Sequence, residues 1–271
     1  MKHLFATLLC FAFFASHISA AIWYVKPTGS DANTGNSWGA AFQDIQRAIG
    51  EGSEGDEIWV AEGTYLPTAM YGGNTNRDKT FFLFYNMKLF GGFAGTETMR
   101  SQRNWNTHPT IRSGDLGTPN NNADNAYHVV WIEGRSSAME LDGFTITKGM
   151  SGGTGFSLYG AGIVNNADNQ SSTPTIRNCT ITGNEGVLNY GGAGMYNYGW
   201  YADASPTMTD CTFSNNLIPE NSSGVTIQPP LNTYDFRPRR GQRFVEMHWV
   251  DINSRPRRGR TFVSTLFSTN L

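Results

Sequence analysis

The sequence predicts an all-β fold, a parallel β-helix in which short strands wind into stacked coils. An ungapped repeat of 32 residues is the first observation: residues 160–165 recur as residues 192–197, and residues 174–184 recur as residues 206–216. Within the repeat, apolar residues alternate with small polar ones, which is the period-two pattern of strands. Gly, Asn, Pro and Ser interrupt it every few residues and leave no room for a helix. A fixed period of this size is typical of a solenoid, since no single repeat buries its apolar face alone.

The N-terminus has the pattern of a secretory signal peptide, predicted over residues 1–21. Lys2 and His3 precede an apolar run at residues 4–14, and small residues at 19–21 fit a cleavage site. The apolar run is too short to span a bilayer, so no transmembrane segment is expected. The chain is therefore expected to be exported.

Residues 22–55 are predicted to form an N-terminal cap. A short strand is expected at residues 23–25 and an amphipathic capping helix at residues 42–49. The helix would cover the apolar interior and the unpaired edge of the first coil, as the end of a solenoid requires. Its apolar face is formed by Phe42, Ile45 and Ile49.

The β-helix itself is predicted over residues 56–227. Residues 141–147 align with residues 176–182 and add a further coil, so that like residues stack on like at about 4.8 Å. An earlier coil is suggested by residues 109–112, which are similar to residues 174–177. Three interior columns follow from the alignment: Leu141, Ile176 and Met208; Phe144, Cys179 and Cys211; Ile146, Ile181 and Phe213.

Cysteine and asparagine recur at fixed repeat positions. Cys179 and Cys211 should point inward, directly stacked, and because parallel side-chain vectors are unfavourable for a disulfide, two free thiols are favoured over a bridge. Asparagines fall at strand ends, where they tolerate a left-handed backbone and can hydrogen-bond the neighbouring coil. A structural turn role is favoured over ligand binding for Asn165, Asn184, Asn197 and Asn216.

Charge is unevenly distributed along the chain. Residues 22–236 carry 11 Lys and Arg against 20 Asp and Glu, whereas residues 237–271 carry eight Arg against Glu246 and Asp251. An acidic body argues against a solenoid that binds nucleic acid.

Residues 228–271 are predicted to lie outside the stack as an Arg-rich tail. Extending the 32-residue register would place Arg240 at the Met208 position and Arg243 at the Cys211 position. Burying unpaired arginine there would cost several kcal/mol, so the stack should end before the tail. A disordered extension, or a truncated or frameshifted end, is favoured over a basic tail that binds anionic glycans or membrane surfaces.

No repeat position accumulates the groups that polysaccharide chemistry needs. A hydrolase uses a pair of carboxylates, and stacked coils would present such groups at one register. The aligned positions are mixed instead: Asp142 with Arg177 and Thr209; Asp210 with Asn178 and Gly143; Lys148 with Gly183 and Asn215. The outer faces are therefore expected to carry Thr, Asn and Ser. The sequence predicts no catalytic, cofactor-binding or metal-binding residue and no cofactor.

Three other sets of residues each have two interpretations. One loop is rich in side-chain oxygens that could bind calcium. We favour the other interpretation, a turn that hydrogen-bonds itself. The residues are Asp115, Asn121, Asn122, Asp124 and Asn125. His128, beside a predicted buried strand, is expected to be a satisfied structural histidine and not a base. Aromatic residues of one coil could stack on sugar rings, but packing over the flank of the solenoid is favoured for Tyr190, Tyr196, Tyr198, Trp200 and Tyr201.

Two groups of short motifs carry a resemblance to known families. Residues 191–195 with residues 213–216 resemble the GGA(I/L) and FxxN tetrapeptides of the polymorphic outer-membrane protein repeat of chlamydial adhesins. Four further segments resemble secreted bacterial right-handed β-helix proteins of the pectin-lyase-like superfamily, at residues 91–97, 113–115, 125–130 and 141–146. The resemblance covers about residues 22–216. It implies a right-handed parallel β-helix that is secreted or held at a bacterial cell surface, associated with the outer membrane, where adhesion is the role of the chlamydial relatives.

The favoured function is that of a non-enzymatic, adhesin-like or glycan-contacting scaffold. Its expected partner is a polysaccharide or a host or cell-surface glycan, with no nucleic acid, and the sequence indicates no oligomeric state. The alternative is a polysaccharide lyase or glycoside hydrolase that acts on acidic glycans, because pectin-lyase-like folds also host such enzymes.

Overall fold

The protein is a parallel β-helix, as the repeat predicts. The computed structural model describes residues 20–187, 192–199 and 202–218, together with the backbone of residues 233–235. Within these residues the strands form three sheets of six, four and six strands. Successive coils pair in parallel, and the last strand pairs antiparallel with its neighbour.

Each sheet takes one strand from a coil, and the strands are numbered along the chain. Sheet 1 contains β1 (Ile22–Val25), β2 (Glu57–Ala61), β5 (Lys88–Phe93), β8 (Glu140–Asp142), β11 (Thr175–Arg177) and β14 (Thr207–Thr209). Sheet 2 contains β3 (Gly63–Tyr65), β6 (Thr110–Ser113), β9 (Phe144–Thr147), β12 (Thr180–Thr182), β15 (Thr212–Ser214) and β16 (Thr233–Asp235). Sheet 3 contains β4 (Phe81–Leu83), β7 (Val130–Glu133), β10 (Ile163–Asn166) and β13 (Met195–Tyr198).

The predicted capping helix is present as α1 (Ile45–Glu51), but Phe42, expected on its apolar face, precedes the helix and forms a parallel β-bridge with Val25. It begins after Asp44, whose carboxylate accepts a hydrogen bond of 2.8 Å from the backbone N–H of Gln46. Its buried residues, Ile45, Ala48 and Ile49, join the same core as the interior of the coils. The strand of the predicted cap, β1, pairs in parallel with β2.

Short 3-10 helices lie in the connections between strands. They span Trp38–Ala40, Asn76–Asp78, Arg100–Gln102, Asn122–Asp124 and Gly155–Leu158. In the part of the chain that the structure describes, no helix is long and apolar enough to cross a membrane.

The turns between strands use residues that tolerate a positive φ. Gly143, Asn178 and Asp210 follow β8, β11 and β14, with φ angles of 84°, 49° and 52°. The connections that follow β9, β12 and β15 repeat this with Lys148, Gly183 and Asn215, at 63°, 64° and 53°. Left-handed backbone costs least for Gly and Asn, which explains why these residues punctuate the repeat.

The interior columns are confirmed by the strand register. Ile176 pairs with Leu141 and Met208, and Ile181 pairs with Ile146 and Phe213. The third column, Phe144, Cys179 and Cys211, is buried in the same core, and both cysteines are free thiols.

The predicted hydrogen bonding of the asparagines between coils is confirmed, but none of the four has a left-handed backbone, and Asn165 and Asn197 lie within β10 and β13. The side-chain amide of Asn184 donates to Asn216 Oδ1 at 2.9 Å, and that of Asn165 donates to Asn197 Oδ1 at 3.0 Å. Each pair joins two coils one period apart. These bonds satisfy buried polar groups along the axis of the solenoid.

The predicted equivalence of residues 109–112 and 174–177 is wrong. β6 lies in sheet 2 and pairs with β9, whereas β11 lies in sheet 1. Arg112 is consequently level with Tyr65 on one side and Ile146 on the other, at an interior position.

Arg112 is fully buried. The predicted end of the stack assumed that an unpaired arginine is too costly in the interior, and Arg112 is such an arginine. Its guanidinium lies 4.3 Å from the ring centre of Phe144 and 5.1 Å from that of Phe81. No described residue forms a hydrogen bond with its nitrogens. Burial lowers the pKa of Arg112 to about 9. Aromatic faces thus make an interior arginine possible here.

Two predictions lie outside the described residues. The first is the signal peptide, of which the structure describes residues 20 and 21 alone. The second is the Arg-rich tail with the predicted end of the stack, of which it describes the backbone of residues 233–235 alone.

Candidate functional site

Aromatic side chains cover the outer face of sheet 3. Phe82 pairs with Trp131, and Val164 lies between Trp131 and Tyr196 in the register. Because strand residues alternate between the two faces, the neighbours of these residues fill the core while this column faces outward.

Two connections add further rings to this face. Tyr71, from the connection before β4, stacks on Phe82 with ring centres 4.0 Å apart and lies 5.1 Å from Trp131. Phe156, from the connection before β10, meets Trp131 and Tyr198 edge to face. A continuous aromatic row results, made of Tyr71, Phe82, Phe84, Tyr85, Trp131, Phe156, Tyr159, Tyr196 and Tyr198.

A groove of about 300 Å³ opens beside this row, at the carboxyl ends of β7 and β10. We call it the sheet 3 groove. It crosses three coils, because its lining comes from the connections around β4, β7 and β10. The lining residues are Tyr71, Phe82, Glu133, Gly134, Arg135, Asn166, Asn169 and Gln170.

Glu133 is the carboxylate of this groove, and two donors hold it. Its Oε2 atom accepts hydrogen bonds from the hydroxyl of Tyr71 and, at 3.2 Å, from the indole N–H of Trp131. Burial and the hydrogen bond to Glu133 raise the pKa of Tyr71, so its hydroxyl stays protonated. The carboxylate is therefore positioned as a fixed acceptor at the groove wall.

The other polar groups of the groove are also tied to the backbone. Arg135 donates from Nε to the carbonyl oxygen of Glu133, and one of its terminal nitrogens lies 4.0 Å from Glu54 Oε1. Gln170 donates from Nε2 to the carbonyl oxygen of Gly134 at 2.8 Å. This rigidity favours a preformed binding surface.

A second polar surface covers sheet 1, and the sequence prediction missed it. Arg103 forms a buried ion pair of 2.7 Å with Asp142, and Arg100 forms a more exposed one of 2.7 Å with Glu57. A third pair joins Arg177 and Glu140 at 3.4 Å. The expectation that the outer faces carry only Thr, Asn and Ser is wrong for this sheet.

A cavity of about 490 Å³ lies at this charged face. Its lining is Glu57, Arg100, Ser101, Arg103 and Trp105. Arg103 also donates to the carbonyl oxygens of Gly91 and Asp142, which fastens the connection before β6 onto the sheet. The charges at this cavity are paired with each other, so they stabilise the connection.

The mixed columns of the sequence alignment have a geometric explanation. Gly143, Asn178 and Asp210 share a left-handed corner, as do Lys148, Gly183 and Asn215 at the next corner. The third column aligns Asp142 with Arg177 and Thr209. Here Asp142 accepts a hydrogen bond of 2.8 Å from the amide of Asn178, in addition to its ion pair with Arg103. Turn geometry and local packing thus account for the residues at these positions.

His128 is buried, as expected for a structural histidine. Its Nδ1 atom lies 3.1 Å from the carbonyl oxygen of Gly160, and its ring meets Trp131 edge to face at 5.2 Å. Burial lowers the pKa of His128 to about 4, so the ring is neutral near pH 7.

The structure tests part of the prediction that the aromatic residues of one coil pack over the flank of the solenoid. Tyr196 is buried and stacks on Tyr159 with ring centres 4.6 Å apart, which agrees with packing over the flank. Tyr198 contacts Phe156. Tyr190, Trp200 and Tyr201 lie outside the described residues.

The polar loop hydrogen-bonds itself, as the turn interpretation predicts. Asp124 Oδ2 accepts from the backbone N–H of Thr118 at 2.8 Å and from the amide of Asn121 at 3.2 Å. Asn122 reaches further and donates to Glu185 Oε2 at 2.9 Å. Among the described residues, no cluster of three or more His, Cys, Asp and Glu side chains is arranged to hold a metal ion.

The fold defines a class, the parallel β-helix proteins, and comparisons with known proteins add to it only at the level of structure. No protein-family model matches the chain, and no curated protein matches it significantly. Among solved structures, it is similar to a rhamnogalacturonan lyase at 15% identity, covering 73% of this chain and 52% of that one with a TM-score of 0.37. It is also similar to the pectate lyase Pel9A at 16% identity, covering 78% and 58% with a TM-score of 0.38. The chain spans between half and three fifths of those two proteins, and the likeness is one of fold alone.

Proposed function

We propose that the protein binds a polysaccharide in the sheet 3 groove, as a non-enzymatic glycan-contacting scaffold. The observation that carries the proposal is the composition of this groove. Its lining combines the aromatic rings of Tyr71 and Phe82 with carboxylate, guanidinium and amide groups of neighbouring coils.

This combination matches the chemistry of a sugar ring. The C–H face of a sugar is apolar and packs against an aromatic ring, while its hydroxyl rim needs donors and acceptors together. Glu133 supplies acceptors only, Arg135 supplies donors only, and the amide of Asn166 supplies both.

The direction of the groove favours a polymer over a single sugar. Glu133 and Asn166 are register partners on adjacent coils, so the polar groups recur at the coil spacing of about 4.8 Å. A ligand that follows the axis would meet the carboxylate of Glu133 and the amide of Asn166 on successive coils. Such a ligand is an extended chain.

Binding is favoured over cleavage because of the carboxylates. Hydrolysis of a glycosidic bond uses two of them, on opposite sides of the bond. Among the described lining residues of this groove, Glu133 is the single one, and the donors Tyr71 and Trp131 already occupy its Oε2 atom.

The alternative function is a polysaccharide lyase or glycoside hydrolase that acts on acidic glycans. The observation that favours it is Arg135, whose guanidinium lines the groove beside Glu133 and could pair with a uronate carboxylate. Export to the cell surface or the medium is proposed as well, and the pattern of residues 1–21 supports it.

Affinity electrophoresis in gels that contain neutral or acidic polysaccharides tests the proposal. We expect at least one polysaccharide to retard the protein, and Tyr71→Ala to weaken that binding at least tenfold. Tyr85→Ala is the matched control, since Tyr85 is an exposed member of the aromatic row that does not line the groove. Equal binding by the wild type and Tyr71→Ala would contradict the proposal. Release of unsaturated or reducing ends from any of the polysaccharides would support the alternative.

A further inference from the structure

The polar loop before β7 is closed at its base. The backbone N–H of Ala126 donates to the carbonyl oxygen of Gly114 at 2.8 Å. Asp115 and Asn125 are the first residues inside this closure on its two sides, at the neck of the loop. Asp124 precedes Asn125 and belongs to the same neck.

Three side-chain oxygens of this neck are shielded from solvent and have no hydrogen-bond donor. They are Asp115 Oδ1, Asp124 Oδ1 and Asn125 Oδ1. Asn125 as a whole is 1% exposed. Buried acceptors without a partner are uncommon in folded proteins, and each one calls for a partner that the chain itself does not supply.

The rest of the loop fixes these oxygens in place. Asp115 Oδ2 accepts a hydrogen bond of 3.1 Å from the backbone N–H of Asn120, and Asp124 Oδ2 accepts one of 2.8 Å from that of Thr118. The donors of the loop therefore bind one oxygen of each carboxylate and leave the other oxygen free. This is a different surface from the sheet 3 groove.

The basic side chains at this loop have partners other than the carboxylates of Asp115 and Asp124. Lys148 donates from Nζ to Asn120 Oδ1 at 3.0 Å. Arg77 donates to the carbonyl oxygens of Asn125 and Met150 and lies over the ring of Tyr127 at 4.1 Å. Neither side chain forms an ion pair with Asp115 or Asp124 among the described contacts.

We propose that this neck binds a calcium ion through Asp115, Asp124 and Asn125. Two carboxylate oxygens and an amide oxygen are the hard ligands that calcium prefers, and its flexible coordination of six to eight oxygens accepts an irregular loop. Backbone carbonyls and water complete the shell. Magnesium fits less well because it demands near-ideal octahedral geometry, and zinc prefers nitrogen and sulfur ligands.

The ion would tie neighbouring coils together. The same loop reaches the later coils through Asn122, which donates to Glu185, and through Gly114, whose N–H donates to the carbonyl oxygen of Thr147 at 2.9 Å. Calcium binds the folded loop and not the unfolded chain, so it would stabilise the protein against heat.

The test is calcium titration of the chelator-treated full chain, followed by isothermal calorimetry and thermal melting. We expect one saturable site and a Tm rise of about 5 °C at a calcium concentration one hundred times the Kd. Asp124→Asn should weaken calcium binding at least tenfold. Asp203→Asn, at an exposed carboxylate of another connection, is the matched control and should bind as the wild type does.

Terbium luminescence gives a second measurement that needs no variant. Terbium should occupy the same oxygen ligands, be sensitised through Tyr127 two residues beyond the neck, and be displaced by calcium. No saturable heat with calcium, an equal response to magnesium, or full calcium binding by Asp124→Asn would each overturn the proposal.

Discussion

The connections between sheets 1 and 2 differ sharply along the chain. Gly143 alone joins β8 to β9, with the left-handed backbone that a one-residue corner requires. At the equivalent corner of the preceding coil, residues 94–109 join β5 to β6 and carry Arg100 and Arg103 of the charged face. The short corner leaves no room for side-chain chemistry, whereas the long one folds back over the sheet.

The connections from sheet 2 to sheet 3 are long in successive coils, at residues 66–80, 114–129 and 148–162. Residues 66–80 bring Tyr71 over sheet 3, and residues 114–129 contain the proposed calcium site. The regular coils thus provide a rigid frame, and connections that interrupt the repeat provide the chemistry. Four predictions test this division.

The largest effect is expected inside the regular coils. Ile181→Asp should lower the free energy of unfolding by about 4 kcal/mol or more, because it places a carboxylate in a fully buried column. Thr180→Asp, on the opposite face of the same strand, should cost about 1 kcal/mol or less. Chemical denaturation of both variants measures the difference. Equal losses would show that the facing of β12 is wrong.

A pH-dependent effect is expected at His128. Its pKa of about 4 in the folded state lies below its ordinary value near 6.5, so the unfolded chain binds more protons between these pH values. Stability should therefore fall as the pH drops from 6.5 to 4, by up to about 3 kcal/mol for this residue.

The measurement is the pH dependence of unfolding for the wild type and for His128→Gln. The variant should lose less stability across this range. His108→Gln, at a partly exposed histidine paired with Glu62, serves as the control. A wild-type profile in His128→Gln would contradict the buried, neutral state of this ring.

A smaller and opposite effect is expected at Arg112. Replacing this buried, unpaired cation by an apolar side chain of similar length should stabilise the protein, by about 2 kcal/mol for Arg112→Met. Arg177→Met, on the outer face, should change stability by about 0.5 kcal/mol or less. Marked destabilisation of Arg112→Met in thermal and chemical unfolding would show that the two aromatic faces stabilise the cation more than its burial costs.

The smallest expected effect concerns the stacked thiols. Cys179→Ala should cost about 1–2 kcal/mol, since a small buried side chain is lost from the Phe144 column and no disulfide is broken. Unfolding with and without a reducing agent should be the same for the wild type. A loss of stability on reduction would contradict the free thiols.

Much of the frame could be predicted from the sequence because the repeat reports the register directly. Ile181 and Phe213 occupy one column because their repeat positions coincide, and the same argument placed Asn184 above Asn216. The corners of Gly143 and Asn178 were visible in the same alignment, although their meaning as left-handed turns became clear only from the backbone.

The site could not be predicted because Tyr71 lies in a connection outside the repeat, although Glu133 and Asn166 are register partners on adjacent coils. Tyr71 and Glu133 are 62 residues apart, and no periodic pattern relates them. Arg112 was assigned to the wrong sheet because the long connection before β6 breaks the regular spacing of strands along the chain. Arg100 and Arg103 of the charged face lie in that connection, so a search for recurring positions cannot find them.

Hydrogen exchange measured by mass spectrometry, with and without the polysaccharide that retards the protein most strongly, shows where on the β-helix the glycan binds. The account predicts that the ligand protects the connections that carry Tyr71, Glu133 and Gln170, and leaves exchange at the charged face of sheet 1 unchanged. Protection confined to the charged face, or to the regular coils around Ile181, would contradict the assignment of glycan binding to the sheet 3 groove.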